Sequence, residues 1–319
     1  MELDKFDLNI LSCLDLNARQ SYAEIGKKIR RSKQFVEYRI RRLSEERIIE
    51  GYSLDIDLRK MGYTIFNIFL QFHRLGDNNL REIIKFFNVS SQVGFCLETL
   101  GNWDLFISVK SEGISDFYKF VGTFHSKFSK YIKRESINLE VNGISTNLKF
   151  LNREKKCTDY ISVNTMVIEK RNFSKFENNL IFILRSNPMM SYLELSTKLK
   201  KSHETIRKTI KSLEREKILK RTRAIISLDK LGYERYLFLI ELHFLADKQK
   251  EELLNYLKYQ ENIDYTMECI GSWNIICNTY SKNIQELRDL IIGLKNKFNY
   301  ISSIEFLRVI QTEKEVFSI

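Results

Sequence analysis

The sequence predicts an α+β fold in which a winged helix-turn-helix is followed by a ferredoxin-like βαββαβ domain, with the whole arrangement present twice. Three observations carry that expectation. A capped pair of short amphipathic helices occupies residues 21–45, an alternating apolar pattern begins at Gly62, and both patterns return without a gap at an offset of 170 residues. The offset takes Ser21 and Glu24 to Ser191 and Glu194, Ile40 to Ile210, Gly62-Tyr63 to Gly232-Tyr233, and Trp103 to Trp273. A period that long marks a repeated domain and not a solenoid repeat.

Asp4 caps a helix running to about Asp15, with Phe6, Ile10, Leu11 and Leu14 on its inner side. Ser21 and Glu24 form a capping box, a hydroxyl and a carboxylate that satisfy each other's orphan amides, so a second helix starts there with Ala23, Ile25 and Ile29 on one side. Ser32 caps a third helix, in which Val36, Ile40 and Leu43 share one narrow sector at about 100° per residue. Gln34, Tyr38, Arg41 and Arg42 stand on the opposite face, with Lys33 near the start. Those side chains are of the kind that reach phosphates and base edges. Ile48-Ile49-Glu50-Gly51-Tyr52 then reads as a wing strand.

From Gly62 the pattern becomes β-branched and aromatic. Strands are expected at Tyr63–Phe72, Gln92–Leu100, Trp103–Val109 and Ile132–Val141, and helices at Asn79–Phe87 and Ser115–Lys130, with Gly101-Asn102 as the tight turn between the central strands. The order βαββαβ places both helices on one face of an antiparallel sheet. The other face is too apolar to be left in water. Residues 148–173 have no counterpart in the second copy and join the two. Tyr160-Ile161-Ser162-Val163 and Met166-Val167-Ile168 suggest that this joint is partly ordered.

The second copy has the same apolar skeleton with a different exposed face. Its third helix carries Glu204, Lys208, Lys211 and Arg215 opposite Ile206, Ile210 and Leu213, preceded by Lys200, Lys201 and His203. Its wing holds Lys220, Arg221 and Arg223. The two helices are therefore expected to read different half-sites, or one of them to read little. The domains are expected at 1–60 and 174–230 for the helix-turn-helix units, and at 61–147 and 231–319 for the ferredoxin-like units.

Composition agrees with packed cores and a polyanionic partner. Of 319 residues, 43% are hydrophobic and 12% aromatic, which argues against disorder, and the formal net charge is +11. The acidic start MELDKFDLN has no apolar core of a signal peptide, and the longest apolar runs, such as Tyr236 to Ile240, are far too short to span a bilayer. A cytoplasmic, nucleoid-associated protein with no membrane partner is expected. The five cysteines show no C-x-x-C pair and do not map onto one another across the offset, so they are expected to be reduced, mostly buried thiols; no metal and no cofactor is expected.

The run V-x-x-R-I-x-x-L-x-x-E-x-I-I (Val36 to Ile49), the strand after it, the Gly-Tyr opening of the next domain and the G-x-W-D of its central hairpin (Gly101 to Asp104) together resemble the Lrp/AsnC family of feast/famine regulators. The resemblance implies DNA-binding transcription regulators whose effector domains, called RAM domains, pair sheet to sheet. It also implies small effectors, often amino acids, bound near the central hairpin, here Gly101 and Asp104 with their counterparts Gly271 and Asn274. Family members carry one such unit and dimerise. Two in one chain would form an internal pseudo-dimer, each sheet covering the other's apolar face, with further homo-oligomerisation open.

The main functional expectation is a regulator of double-stranded DNA and not an enzyme. Phosphates would be met by Arg31, Lys33, Arg39 and Lys201, base edges by Gln34, Arg41, Arg42, Lys208 and Lys211, with Tyr38, His203, Glu204, Arg215 and Arg221 on the same surfaces. Two alternatives stand beside it. One is a sequence-tolerant architectural DNA coater. The other is an enzyme similar to the sirohaem decarboxylases, whose architecture the chain also resembles and for which His73, His125 and His243 would be the histidines to watch.

Overall fold

Capping starts the chain's first helix. In the computed structural model, which describes residues 3–73, 75–152, 161–165, 171–243 and 247–315, the Asp4 carboxylate accepts from the Phe6 and Asp7 amides while Asp7 accepts from the Asp4 amide, and α1 (Lys5–Leu16) follows. The Ser21–Glu24 box opens α2 (Tyr22–Ile29), and Ser32 caps α3 (Lys33–Glu45), which buries Val36, Ile40 and Leu43. Ala23 is exposed, contrary to the expectation from periodicity, and Gly26 takes the inward place. The turn after α2 passes so close that a Cβ on Gly26 would lie 2.6 Å from the Arg31 carbonyl oxygen. In the second copy Ser196 stands there and its hydroxyl donates to the matching carbonyl, that of Lys201.

The chain continues through β1 (Ile49–Ile56), β2 (Thr64–Phe72), α4 (Asp77–Val89), β3 (Val93–Leu100), β4 (Leu105–Ser111), α5 (Ile114–Phe128) and β5 (Ile132–Thr146). Within the joining segment a 3-10 turn (Lys149–Leu151) and β6 (Ile161–Thr165) are present, whereas Cys157, Tyr160 and Met166 to Ile168 lie outside the described residues. The same order of elements then recurs as α6 (Lys175–Ser186), α7 (Tyr192–Leu199), α8 (His203–Arg215), β7 (Leu219–Ile226), β8 (Glu234–Leu242), α9 (Asp247–Tyr259), β9 (Ile263–Ile270), β10 (Ile275–Ser281), α10 (Ile284–Lys297) and β11 (Ile301–Glu315). Among the described residues no helix is long and apolar enough to cross a membrane.

The residues divide into two units, each drawing on both copies. One holds both helix-turn-helix segments. Among its described residues neither segment forms a wing hairpin of its own; instead β1 pairs antiparallel with β7, Ile49 opposite Ile226 and Leu54 opposite Thr222. Each strand receives from the other copy the ladder partner that a hairpin would have supplied.

The second unit holds both ferredoxin-like segments. β5 and β11 are each 15 residues long, well past the end expected for the first, because their extra length finds a new partner: β5 pairs with β9 and β11 with β3. With β2 bonded to both β4 and β5, the order β2-β4-β3-β11-β8-β10-β9-β5 closes on itself. The two sheets thus meet edge to edge in an eight-stranded barrel, which leaves neither seam unpaired. Within each copy the helices cover the outer face: Phe117, Phe120, Val121, Phe124 and Phe128 of α5 are all buried against it. The lumen receives Phe69, Trp103 and Phe106 from one copy and Leu237, Met267 and Trp273 from the other. The two indoles meet edge to face at 5.6 Å. Cys13, Cys96, Cys269 and Cys277 are buried, and burial pushes the Cys96 and Cys277 thiols up to about 12.

Candidate nucleic-acid interface

The α3 surface is not one uniform basic face. Lys33, Gln34, Glu37 and Tyr38 are exposed, and Arg41 is 71% exposed with Glu45 only loosely beside it at 3.9 Å. Arg39 and Arg42 are otherwise engaged. Arg39 sits 3.0 Å from Asp7 and 2.8 Å from Asp4, and Arg42 2.7 Å from Asp7, whose carboxylate is 1% exposed. These two arginines hold the third helix to the start of the first; they are not spare groups for phosphate or bases. Arg31, at the turn, lays its guanidinium 4.3 Å from the Phe6 ring centre, an exposed cation with a fixed stem.

In the second copy Thr209 and Ser212 replace those two arginines. The acid of α6's first turn, Glu177, takes its cation from the joining segment: Arg171 lies 2.7 Å from Glu177 and 2.7 Å from Glu216. Burial pushes the Glu177 carboxyl up, but bonds from Arg171 and from the Ser174 amide hold it below the usual range. On the outward side His203, Glu204, Arg207, Lys208, Lys211 and Arg215 are exposed, and Lys201 lies 5.7 Å over Phe176 as Arg31 lies over Phe6. Glu204 is flanked by Arg207 at 3.0 Å and Lys208 at 3.7 Å. Lys208, Lys211 and Arg215 line an open groove with Glu177, Thr209 and Ser212. Arg207 was not among the sequence candidates; its helical spacing, four residues after His203 and four before Lys211, is the signal that places it on the same face.

Arg221 belongs to neither face. It is buried, 2.7 Å from Asp55, and donates to the backbone carbonyls of Asp15 at 3.3 Å and Thr146 at 3.0 Å. Arg223 lies 3.4 Å from Asp15, and Lys220 lies 3.4 Å from Asp57 and donates to Ser162. The basic strand of the second copy is matched to acids that only the first copy carries, so its charge joins the copies instead of facing a ligand.

The hairpin residues are likewise put to structural use. Gly101 and Gly271 adopt φ of +145° and +156°, and a Cβ there would lie 2.8 Å from Leu307 and 2.3 Å from Asn138 respectively. The Asp104 carboxylate accepts from the Phe72 amide at 2.7 Å, and Asn274 uses its amide oxygen identically toward Leu242 at 2.7 Å. Both positions need an acceptor oxygen, and the charge is incidental. Asp104→Asn is therefore expected to leave stability within about 0.5 kcal/mol, whereas Asp104→Ala costs about 1–2 kcal/mol; urea titration of both variants distinguishes this from a site that requires the carboxylate. His73 and His243 are exposed at the ends of β2 and β8, and His125 contacts Glu135 at 3.1 Å. Among the described residues no cluster of three or more His, Cys, Asp or Glu side chains could hold a metal ion.

A family model described as the AsnC-type helix-turn-helix domain matches residues 3–44. The HTH-type transcriptional regulator LrpB of Bacillus subtilis (strain 168) is 30% identical over 135 residues, covering 34% of this chain and 91% of the relative. Regulatory protein AsnC of Haemophilus influenzae is 27% identical over 121 residues, covering 38% and 80%. The chain is about twice the length of these relatives. Among solved structures, siroheme decarboxylase NirDL superposes with a TM-score of 0.65 at 16% identity, covering 98% of this chain and 93% of that one, a likeness of fold alone.

Proposed function

Because the chain belongs to the Lrp/AsnC family of transcription regulators, we propose that it binds double-stranded DNA at specific sites and that one chain supplies both reading heads. The 170-residue offset is then an internal duplication, and the pair of copies a covalent pseudo-dimer. One observation carries the reading: α3 and α8 bury their apolar sectors, turn polar and cationic side chains outward, and belong to one unit tied together by β1 and β7. The net charge of +11 supplies the long-range attraction. Titration of a labelled duplex at increasing salt tests it. Affinity is expected to fall linearly on a log–log plot, with a slope of about −0.9 for each phosphate neutralised; affinity absent at low salt, or indifferent to salt, contradicts the reading.

A second reading rests on the fold match to a siroheme decarboxylase over nearly the whole chain. Mixing the purified protein with an iron tetrapyrrole and recording the absorbance tests it: a shifted band with saturable binding supports an enzyme, and an unchanged spectrum removes it. The regulator reading does not extend to an amino-acid effector, because Gly101, Asp104, Gly271 and Asn274 are accounted for by turn geometry and amide capping.

A further inference from the structure

We propose that the two heads divide the work on DNA, the first reading base sequence and the second gripping phosphates with little regard to sequence, so that the chain recognises one specific half-site flanked by DNA of any sequence. The inference rests on the DNA-binding reading above and goes beyond it by making the operator asymmetric.

Position by position, the outward faces differ in kind. Where α3 shows Gln34, Glu37, Tyr38 and Glu45, α8 shows Glu204, Arg207, Lys208 and Arg215. On α3 the exposed cations Lys33 and Arg41 are balanced by the carboxylates Glu37 and Glu45, since Arg39 and Arg42 are held by Asp7. What remains distinctive there is Gln34 and Tyr38, uncharged groups that both donate and accept. Such groups add no charge toward the phosphates and are suited to the donor and acceptor pattern of base edges. On α8 four exposed cations, Arg207, Lys208, Lys211 and Arg215, face two carboxylates, Glu204 and Glu214.

The groove on α8 has a structural origin. Arg171 takes over the neutralisation of Glu177 and Glu216, which releases positions 209 and 212 from the duty that Arg39 and Arg42 perform in the first head. Small hydroxyl residues then occupy them, and the space is lined by Lys208, Lys211 and Arg215. The three cations are a phosphate-binding set, and the two hydroxyls leave them room because both are turned to partners within the protein, Thr209 donating to the Thr205 carbonyl at 2.9 Å and Ser212 to Glu216 at 2.9 Å. The acid that lines the groove, Glu177, is already occupied by Arg171 and by its own cap, Glu216 beside Ser212 is held by the same arginine, and the exposed contact of Lys208 with Glu204 at 3.7 Å is weak enough to be exchanged for a phosphate.

Selection from randomised duplex DNA, run with the full chain and two variants, tests the division. The wild type is expected to enrich a single short motif lying to one side of a footprint about two helical turns long. The K208A/K211A/R215A variant is expected to enrich the same motif, bind every sequence more weakly, and show a log K against log salt slope shallower by up to about 2.7, from three lost phosphate contacts. Q34A/Y38F is expected to keep the salt slope and blur the motif. All five positions are exposed, and unchanged circular dichroism verifies that each variant is folded. Two equally conserved half-sites in the wild type, or an altered motif with K208A/K211A/R215A, overturns the division while leaving DNA binding intact. Failure of the wild type to bind any duplex overturns the DNA-binding reading itself.

Discussion

Replacing Phe69 by alanine is expected to destabilise the barrel by about 3–5 kcal/mol, the range for truncating a buried phenylalanine whose cavity cannot collapse. Phe69 is 0% exposed, and its ring lies 4.7 Å from Trp273, 5.0 Å from Phe106 and 6.0 Å from Trp103. It is the point where the aromatic groups of both copies meet. The strands around it form a hydrogen-bonded ring, so the walls cannot move inward without breaking ladder bonds, and the missing volume stays open. The chain's only two tryptophans flank the cavity, so intrinsic fluorescence during urea unfolding reads the loss directly. A shift of less than about 1 kcal/mol would mean that the lumen is not the shared core described here.

Arg221→Ala is expected to cost about 3 kcal/mol, near the low end for breaking a buried ion pair because Asp55 is 30% exposed and keeps some water. The substitution also strands the carbonyls of Asp15 and Thr146. Far-UV circular dichroism during denaturation measures the loss. In a double-mutant cycle, Arg221→Ala combined with Asp55→Ala should be markedly less harmful than the sum of the two single changes. A fully stable R221A protein with weakened DNA binding would place Arg221 back on the interface.

These two cases mark the limit of what the sequence reveals. Capping boxes, the burial of Val36, Ile40 and Leu43, the βαββαβ order and the 170-residue repeat are local or periodic signals, and the elements appear where those signals put them. Pairing partners are not local. Arg42 and Arg221 looked like surface cations because Asp7 and Asp55 lie far from them in sequence, and only the fold brings the charges together. The full 15 residues of β5 and β11 were hidden for a related reason: their distal halves alternate weakly, and become strand because β9 and β3 offer open edges. The family resemblance puts Asp104 and Asn274 beside an effector, whereas in the fold each accepts one backbone amide.

The most direct test of the chain as a sequence-specific regulator is the ratio of its affinities for an enriched genomic fragment and for a scrambled duplex of equal length, measured by competition at near-physiological salt. A ratio of about a thousand or more is expected for a specific regulator. A ratio near one would contradict that claim and leave a protein that coats DNA irrespective of sequence.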